Sequence, residues 1–498
     1  MKNYVSTRNP EVKATPAQAV LKGLAPDGGL FVPDDLDSIK VNMQAMMNMS
    51  YREMARVVFG LFFPDLGDKT LASILEKSYE NKFDVPELAP LVPVSDSYVL
   101  ELFHGPTCAF KDVALSALPN LMTASARHEN FQKRILILVA TSGDTGSAAL
   151  TGFSNVEGTD ALVFYPETGI SQSQRLQMVT QPASNVRACA VKGNFDDAQR
   201  GVKEIFQEVE EPAEGVSLSS ANSINIGRLV PQIVYYFNAY KSLLDRKAIK
   251  LGQEVSYIVP TGNFGDIFAG WLARAMGLPV GRLICASNEN DVLTEFLNTG
   301  RYNKKRDFMR TTSPSMDILV SSNLERLLYF VCGPEKTARY MEELRTKGEY
   351  QLEEDDLLEI QGVFGCASVN SNESAEVINR VFRENNYLMD PHTAVAWGAM
   401  EKLVASGELK KDEAKVVLST ASPYKFSRSM LEALGQTGGE SDHENMKKLQ
   451  DYTGVKAPEA LSSLFEKEVI HKDVIEASKM KEYVIEAAEA GRRIRNGQ

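Results

Sequence analysis

The 498-residue chain is poor in cysteine and histidine and has no long apolar run, and each shortage removes a class of protein. Its five cysteines, Cys108, Cys189, Cys285, Cys332 and Cys366, are widely spaced without a C-x-x-C pair, so no disulfide framework is indicated. The histidines His104, His128, His392, His443 and His471 show no ligand spacing, and no metal is expected. No apolar stretch reaches the ~18 residues of a membrane span, and residues 1–8 lack a hydrophobic signal core. The expected location is therefore cytoplasmic, without a membrane partner. Positive charge is in deficit, 54 Lys+Arg against 66 Asp+Glu, and the net charge of −12 opposes a nucleic-acid partner. The one basic cluster, residues 301–310, reads as a solvated loop. Three signatures are also missing. There is no G-x-x-x-x-G-K-[ST] for a nucleoside triphosphate and no G-x-G-x-x-G for a dinucleotide, and Ala140 stands where a G-x-S-x-G nucleophile elbow would need its first glycine.

What is present is an ordinary globular composition, 43% hydrophobic and 24% charged, which argues against disorder. The length suits roughly two to four domains. Residues 1–94 read as a leading module, with a turn-rich stretch around Gly28 and Gly29 and a Met- and aromatic-rich stretch at helical spacing over 43–63. Those methionines are expected to pack in a core. Pro86, Pro90 and Pro93 mark a linker. Residues 95–425 alternate short apolar strands with helical stretches; the expected strands are 134–140, 161–165, 186–191, 255–259, 282–286 and 414–418. Continuous apolar runs of this kind suit strands covered on both faces, which predicts an α/β fold of parallel sheets wrapped by helices, with ligands outside the carboxyl ends of strands. Residues 294–360 read as more polar and helical, and residues 426–498 as a charged helical region without obvious chemistry.

Five short stretches carry the chemistry. In residues 101–112 an apolar run breaks at Gly105-Pro106 and delivers Lys111 at the start of a helix. A lysine held in a partly dry place loses proton affinity and becomes a nucleophilic amine, suited to a Schiff base with a carbonyl or with pyridoxal phosphate (PLP). Residues 140–149 follow the strongest strand with a density of glycine and hydroxyl groups, including Ser142, Gly143, Asp144, Thr145 and Gly146, that suits an anion site at a helix start. Residues 260–266, with Gly262, Asn263, Phe264, Gly265 and Asp266, form a glycine-rich turn opening a helix at 267–276, a cradle for a single phosphate. Residues 418–426 place Thr420 at a strand end, where a neutral hydroxyl would meet a pyridine nitrogen without forcing its protonation; an ordinary strand-end turn explains the same residues. In residues 219–228, Asn225 and Arg228 suit an anionic clamp and equally a capped helix start with a surface arginine. His104 beside its Gly-Pro turn, Cys108 as a small filler, and Asp390-Pro391-His392-Thr393 as a helix start are read without catalytic roles.

Taken in order, these stretches resemble the threonine synthase family, PLP enzymes of the tryptophan-synthase-β structural group, over nearly the whole chain. Residues 24–33 resemble the family's N-terminal domain, and residues 101–112 the motif bearing its Schiff-base lysine. The resemblance implies PLP fold type II, with domains at 1–94, 95–425 and 426–498. It implies conversion of O-phospho-L-homoserine and water into L-threonine and phosphate. Lys111 would carry PLP, residues 262–265 with Asp266 would hold its phosphate, and Thr420 would face its ring nitrogen. Ser142, Gly143, Asp144 and Thr145 would take the substrate carboxylate and the cofactor edge, and Asn225 with Arg228 the substrate phosphate. Closure of 142–146 over the substrate, by movement of one domain, is expected. Two departures stand out: Ser422 lies where relatives often have histidine, and no lysine precedes Ile170-Ser171. The alternatives are a serine or threonine dehydratase or another PLP-dependent phospho-lyase, and, from a different class, a non-catalytic phosphometabolite-binding protein.

Overall fold

The computed structural model describes residues 3–495. Two sheets organise it. In the larger, the strands run in the order Phe364–Ser368, Val280–Ser287, Val255–Pro260, Ala414–Ser419, Ser97–Glu101, Leu91–Val94. All neighbours are parallel except the last pair. The second sheet runs Val474–Glu476, Val186–Lys192, Thr159–Pro166, Arg134–Ala140, Val216–Ser219, parallel throughout. Every residue of Val255–Pro260 is buried, as is the interior of Arg134–Ala140, which is why these strands read as unbroken apolar runs. All six expected strands are present, and the expected parallel α/β architecture with them.

The sheet order positions the site. Strands Val255–Pro260, Ala414–Ser419 and Ser97–Glu101 are consecutive neighbours. Three of the motifs therefore leave the carboxyl ends of adjacent parallel strands, spaced by about 4.8 Å per strand. The 140–149 motif leaves the corresponding end of Arg134–Ala140 in the other sheet. The helix Ile226–Asp245 is buried along most of its length and helix Pro391–Ser406 packs across the larger sheet.

The leading residues form a small antiparallel sheet, Lys13–Ala14, Tyr4–Ser6 and Phe31–Pro33, and helices that share one continuous core with the rest. Helix Pro16–Lys22 lies on Leu118–His128, and Tyr51–Phe62 on Ile226–Asp245, which docks the leading residues onto the body of the chain. The C-terminal region is not purely helical: Val474–Glu476 pairs in parallel with Val186–Lys192 and completes the second sheet. Pro93, expected in a linker, lies in the edge strand Leu91–Val94, where a missing N–H costs no ladder bond. Of the basic cluster, Arg306 pairs with Asp291 and Arg301 with Glu349, which neutralises part of it. Among the described residues no helix is long and apolar enough to cross a membrane.

Candidate active site

Lys111 opens the helix Lys111–Leu115 and owes its placement to the loop before it. Asp112 accepts the Thr107 N–H at 2.8 Å and the Thr107 hydroxyl at 2.6 Å, which winds residues 105–110 tightly. A Cβ on Gly105 would collide with the Asp112 side chain, so only glycine fits there. Phe110 donates its N–H to the Thr420 carbonyl at 2.8 Å, tying the lysine loop to the hydroxyl motif on the neighbouring strand.

The Lys111 amine lies 3.4 Å from the Ser315 hydroxyl and 3.9 Å from Asp144 Oδ2, and 4.8 Å from the centre of the Phe110 ring. Burial pulls its pKa down from 10.5 to about 8, Asp144 opposing and the Arg228 and Lys425 charges assisting. Asp144 goes the other way: burial would raise it, yet Lys425 at 2.9 Å and Lys111 hold it well below the usual carboxylate range. Gln174 adds a 3.0 Å hydrogen bond to Asp144 Oδ1. Asp144, expected at the cofactor edge, has Lys425 and Gln174 on Oδ1 and Ser315 at 3.4 Å and Lys111 at 3.9 Å from Oδ2. It is a counter-ion between two lysines. Gly143, at φ 146°, packs under Gln174 where a Cβ would clash; Ser142 is exposed and Thr145 half-buried at the start of Asp144–Phe153, whose first N–H groups have no intrahelical partners.

The phosphate turn is built as its glycines suggest. A Cβ on Gly262 would sit 2.6 Å from the Ser315 carbonyl oxygen, and Phe264 adopts a left-handed φ of 60° before helix Gly265–Ala275. Ser321 donates to the Gly262 carbonyl at 2.7 Å, and Asn323 to the Asn263 carbonyl through backbone at 3.1 Å and side chain at 3.0 Å. Ser315 therefore touches the lysine with its hydroxyl and the phosphate turn with its backbone. Asp266 points elsewhere: Oδ1 accepts from Tyr235 at 2.5 Å and Tyr236 at 2.9 Å, and burial raises its pKa to about 6. The Asp266 side chain braces the turn and its helix against Tyr235 and Tyr236.

Arg228 is 3% exposed, not a surface arginine; one amino group donates to the Ala221 carbonyl at 2.6 Å while Nε is buried with no partner. Burial lowers its pKa to about 10, and no carboxylate offsets the charge. The Asn225 amide donates to the Val20 carbonyl at 2.9 Å and the Ser220 carbonyl at 3.3 Å, and its oxygen caps Gly227 at 2.9 Å, so its side chain is engaged as a helix cap. Thr420 and Ser422 are buried at the strand end, Ser422 bonded through its N–H to the Cys108 carbonyl at 3.0 Å. Burial pushes the Cys108 thiol up to about 12, consistent with an inert filler. His104 sits between Glu101 at 2.9 Å and Asp84 at 2.7 Å; burial opposes its protonation and those carboxylates outweigh it, raising its pKa.

Sequence reasoning missed Ser315 and Lys425. Lys425 is fully buried, donating to the Thr107 carbonyl at 2.8 Å and to Gln177 at 2.9 Å besides its ion pair with Asp144. Its position between Tyr424 and Phe426 was the available signal. It also missed the meeting of Asp65, His128 and Glu129, whose ligand atoms lie within 4.8 Å of one another. Glu129 accepts from Thr15 and Gln18, and Asp65 from the Ala17 N–H, so these carboxylates tie the leading module to the core.

These residues fit PLP on three counts. One buried amine is depressed toward neutrality, a turn without room for a Cβ stands one residue away, and a buried guanidinium keeps an unpartnered N–H. Fold and site together define a PLP-dependent enzyme of fold type II. The family described as pyridoxal-phosphate dependent enzyme matches residues 83–421, flanked by threonine synthase N terminus at 3–79 and threonine synthase, C-terminal at 393–484. Threonine synthase of Pseudomonas aeruginosa is 38% identical over 442 residues, covering 87% of this chain and 91% of that protein. The PLP-bound threonine synthase of Brucella melitensis superposes with a TM-score of 0.86 at 35% identity, covering 98% of this chain and 100% of the other. The yeast threonine synthase gives 0.86 at 33%, covering 98% and 99%. The chain belongs to the threonine synthase family.

Proposed function

We propose that the chain converts O-phospho-L-homoserine and water into L-threonine and phosphate, with Lys111 as its catalytic residue. The observation that carries this is the Lys111 amine, buried, shifted to about 8, and held by Ser315 and Asp144 beside the Gly262 turn. PLP, when bound, supplies the electron sink that makes the protons on the substrate's Cα and Cβ removable. Lys111 is the residue that would hold PLP, and once substrate occupies the site its free Nζ would take and hold the Cα proton. An amine near pH neutrality in its affinity is suited to both taking and returning a proton. Asp144, kept ionised by Lys425, holds that amine in place in either protonation state.

The Ser142, Asp144 and Thr145 N–H groups take the substrate carboxylate, the Gly143 N–H being held by the Thr141 hydroxyl at 3.0 Å, and Arg228 meets the phosphate that leaves from Cγ. Thr420 would offer a neutral hydroxyl to the ring nitrogen of PLP, and the amides of Gly262 to Gly265 would hold its phosphate. One proton leaves Cβ and one is delivered to Cγ, which becomes the methyl carbon as phosphate departs, while the leaving phosphate accepts a proton from the water whose oxygen adds at Cβ. Closure of residues 142–146 would exclude other water from the reacting carbons. Borohydride reduction of the PLP-loaded protein followed by peptide mapping tests the central assignment: the label is expected on Lys111 alone. A label on Lys425 or none at all would overturn it.

A further inference from the structure

His392 is buried, is linked to Lys111 through Ser315, and has no part in the chemistry above. Its Nε2 accepts the Ser315 backbone N–H at 3.1 Å. The ring proton must then sit on Nδ1, which donates to Asp390 Oδ2 at 2.6 Å. Asp390 is itself fixed, because it caps helix Pro391–Ser406 by accepting the His392 and Thr393 N–H groups. The chain of contacts runs from a helix N-cap, through an imidazole held in one tautomer, to the backbone of Ser315, which touches both Lys111 and the phosphate turn.

Residues 311–317 depend on such anchors. Asp317 accepts from the Thr311 hydroxyl at 2.7 Å and the Asn288 amide at 2.7 Å, and Asn288 also donates to the Ser313 hydroxyl at 3.0 Å. These bonds fix the flanks of the segment but not Ser315. The backbone N–H of Ser315 is held by His392, and its carbonyl closes on Gly262.

We propose that His392 is a positioning residue: through the Ser315 N–H it seats the 313–317 strap on the phosphate turn and sets the Ser315 hydroxyl against the Lys111 amine. The inference rests on the assignment of PLP to Lys111. Removing His392 from the strap leaves the Ser315 N–H without its acceptor and lets the strap rise from the turn.

Two substitutions separate the bonds. His392→Asn carries an amide near the Nδ1 position, within reach of Asp390 but short of Ser315. His392→Gln carries one near the Nε2 position and can accept the Ser315 N–H. Each purified protein, loaded with PLP, is compared with wild type by equilibrium dialysis of the cofactor, by its visible circular dichroism, and by melting temperature. His392→Asn is expected to release PLP about tenfold more readily, as loss of a buried hydrogen-bond acceptor implies. Its dichroic band should change as well, with His392→Gln restoring both toward wild type. Equal retention by wild type and His392→Asn overturns the proposal. So does equal impairment of both variants with a common fall in melting temperature. Wild type that holds no PLP would overturn the cofactor assignment instead.

Discussion

Lys111 and Arg228 are two buried cations whose costs in the ligand-free fold point to what they bind. Lys111, at about 8 when folded against 10.5 when exposed, costs about 3 kcal/mol of stability below pH 8. The unfolded chain binds the extra proton between those values, so the cost fades as pH rises from 8 toward 10.5. Cofactor-free Lys111→Met is therefore expected to melt higher than cofactor-free wild type at pH 7, with the gap closing by pH 10. Equal melting at pH 7 would contradict the desolvated amine. Asp144 keeps Lys425 in that variant, so no charge is orphaned. Arg228 has no carboxylate partner. Arg228→Met should hold or raise the melting temperature while weakening inorganic phosphate or phosphate-bearing substrate by roughly 100-fold, since an uncompensated buried charge is costly until its anion arrives. A large loss of stability with unchanged KM would refute the anion role. At this scale the sequence was legible where chemistry has a spacing: Lys111 after a Gly-Pro turn, Gly262 in its cradle. Ser315 and Lys425 were not, because contacts across more than 200 residues leave no local pattern. Asn225 is ambiguous in the sequence because the same amide serves as a cap and as an anion ligand, and here it caps Gly227.

Among the elements, the phosphate turn and the strap over it make one unit. Gly262→Ala drives a methyl group to 2.6 Å from the Ser315 carbonyl, and relief requires the strap to lift. The expected result is a loss of about 1 to 3 kcal/mol in cofactor affinity, read as a ~10- to 100-fold rise in the PLP dissociation constant, with the rest of the fold intact. Unchanged affinity would show that the strap does not seat on the turn. Strands covered on both faces announce themselves as apolar runs, which made Arg134–Ala140 and Val255–Pro260 readable. The strand Ser97–Glu101 begins and ends with polar residues, and Val474–Glu476 is three residues among charges; pairing supplied by neighbours decides both.

For the whole molecule, the site is divided between two sheets. Lysine, phosphate turn and Thr420 sit on the larger; residues 142–146 sit on the smaller, behind Gln174. Substrate that bridges them is expected to draw the smaller sheet toward the larger, and crystal structures with and without a non-reactive substrate analogue would reveal that shift. Identical lobe positions would refute closure. The continuous core beneath the leading residues was not legible because each helix there is amphipathic on its own and says nothing of its partner. The most direct test of the whole account is product analysis: PLP-loaded protein with O-phospho-L-homoserine, measuring phosphate and identifying the amino acid, with Lys111→Ala beside it. Equal amounts of phosphate and L-threonine, absent from the variant, are the predicted result. Phosphate with ammonia and a keto acid, or turnover that survives Lys111→Ala, would contradict it.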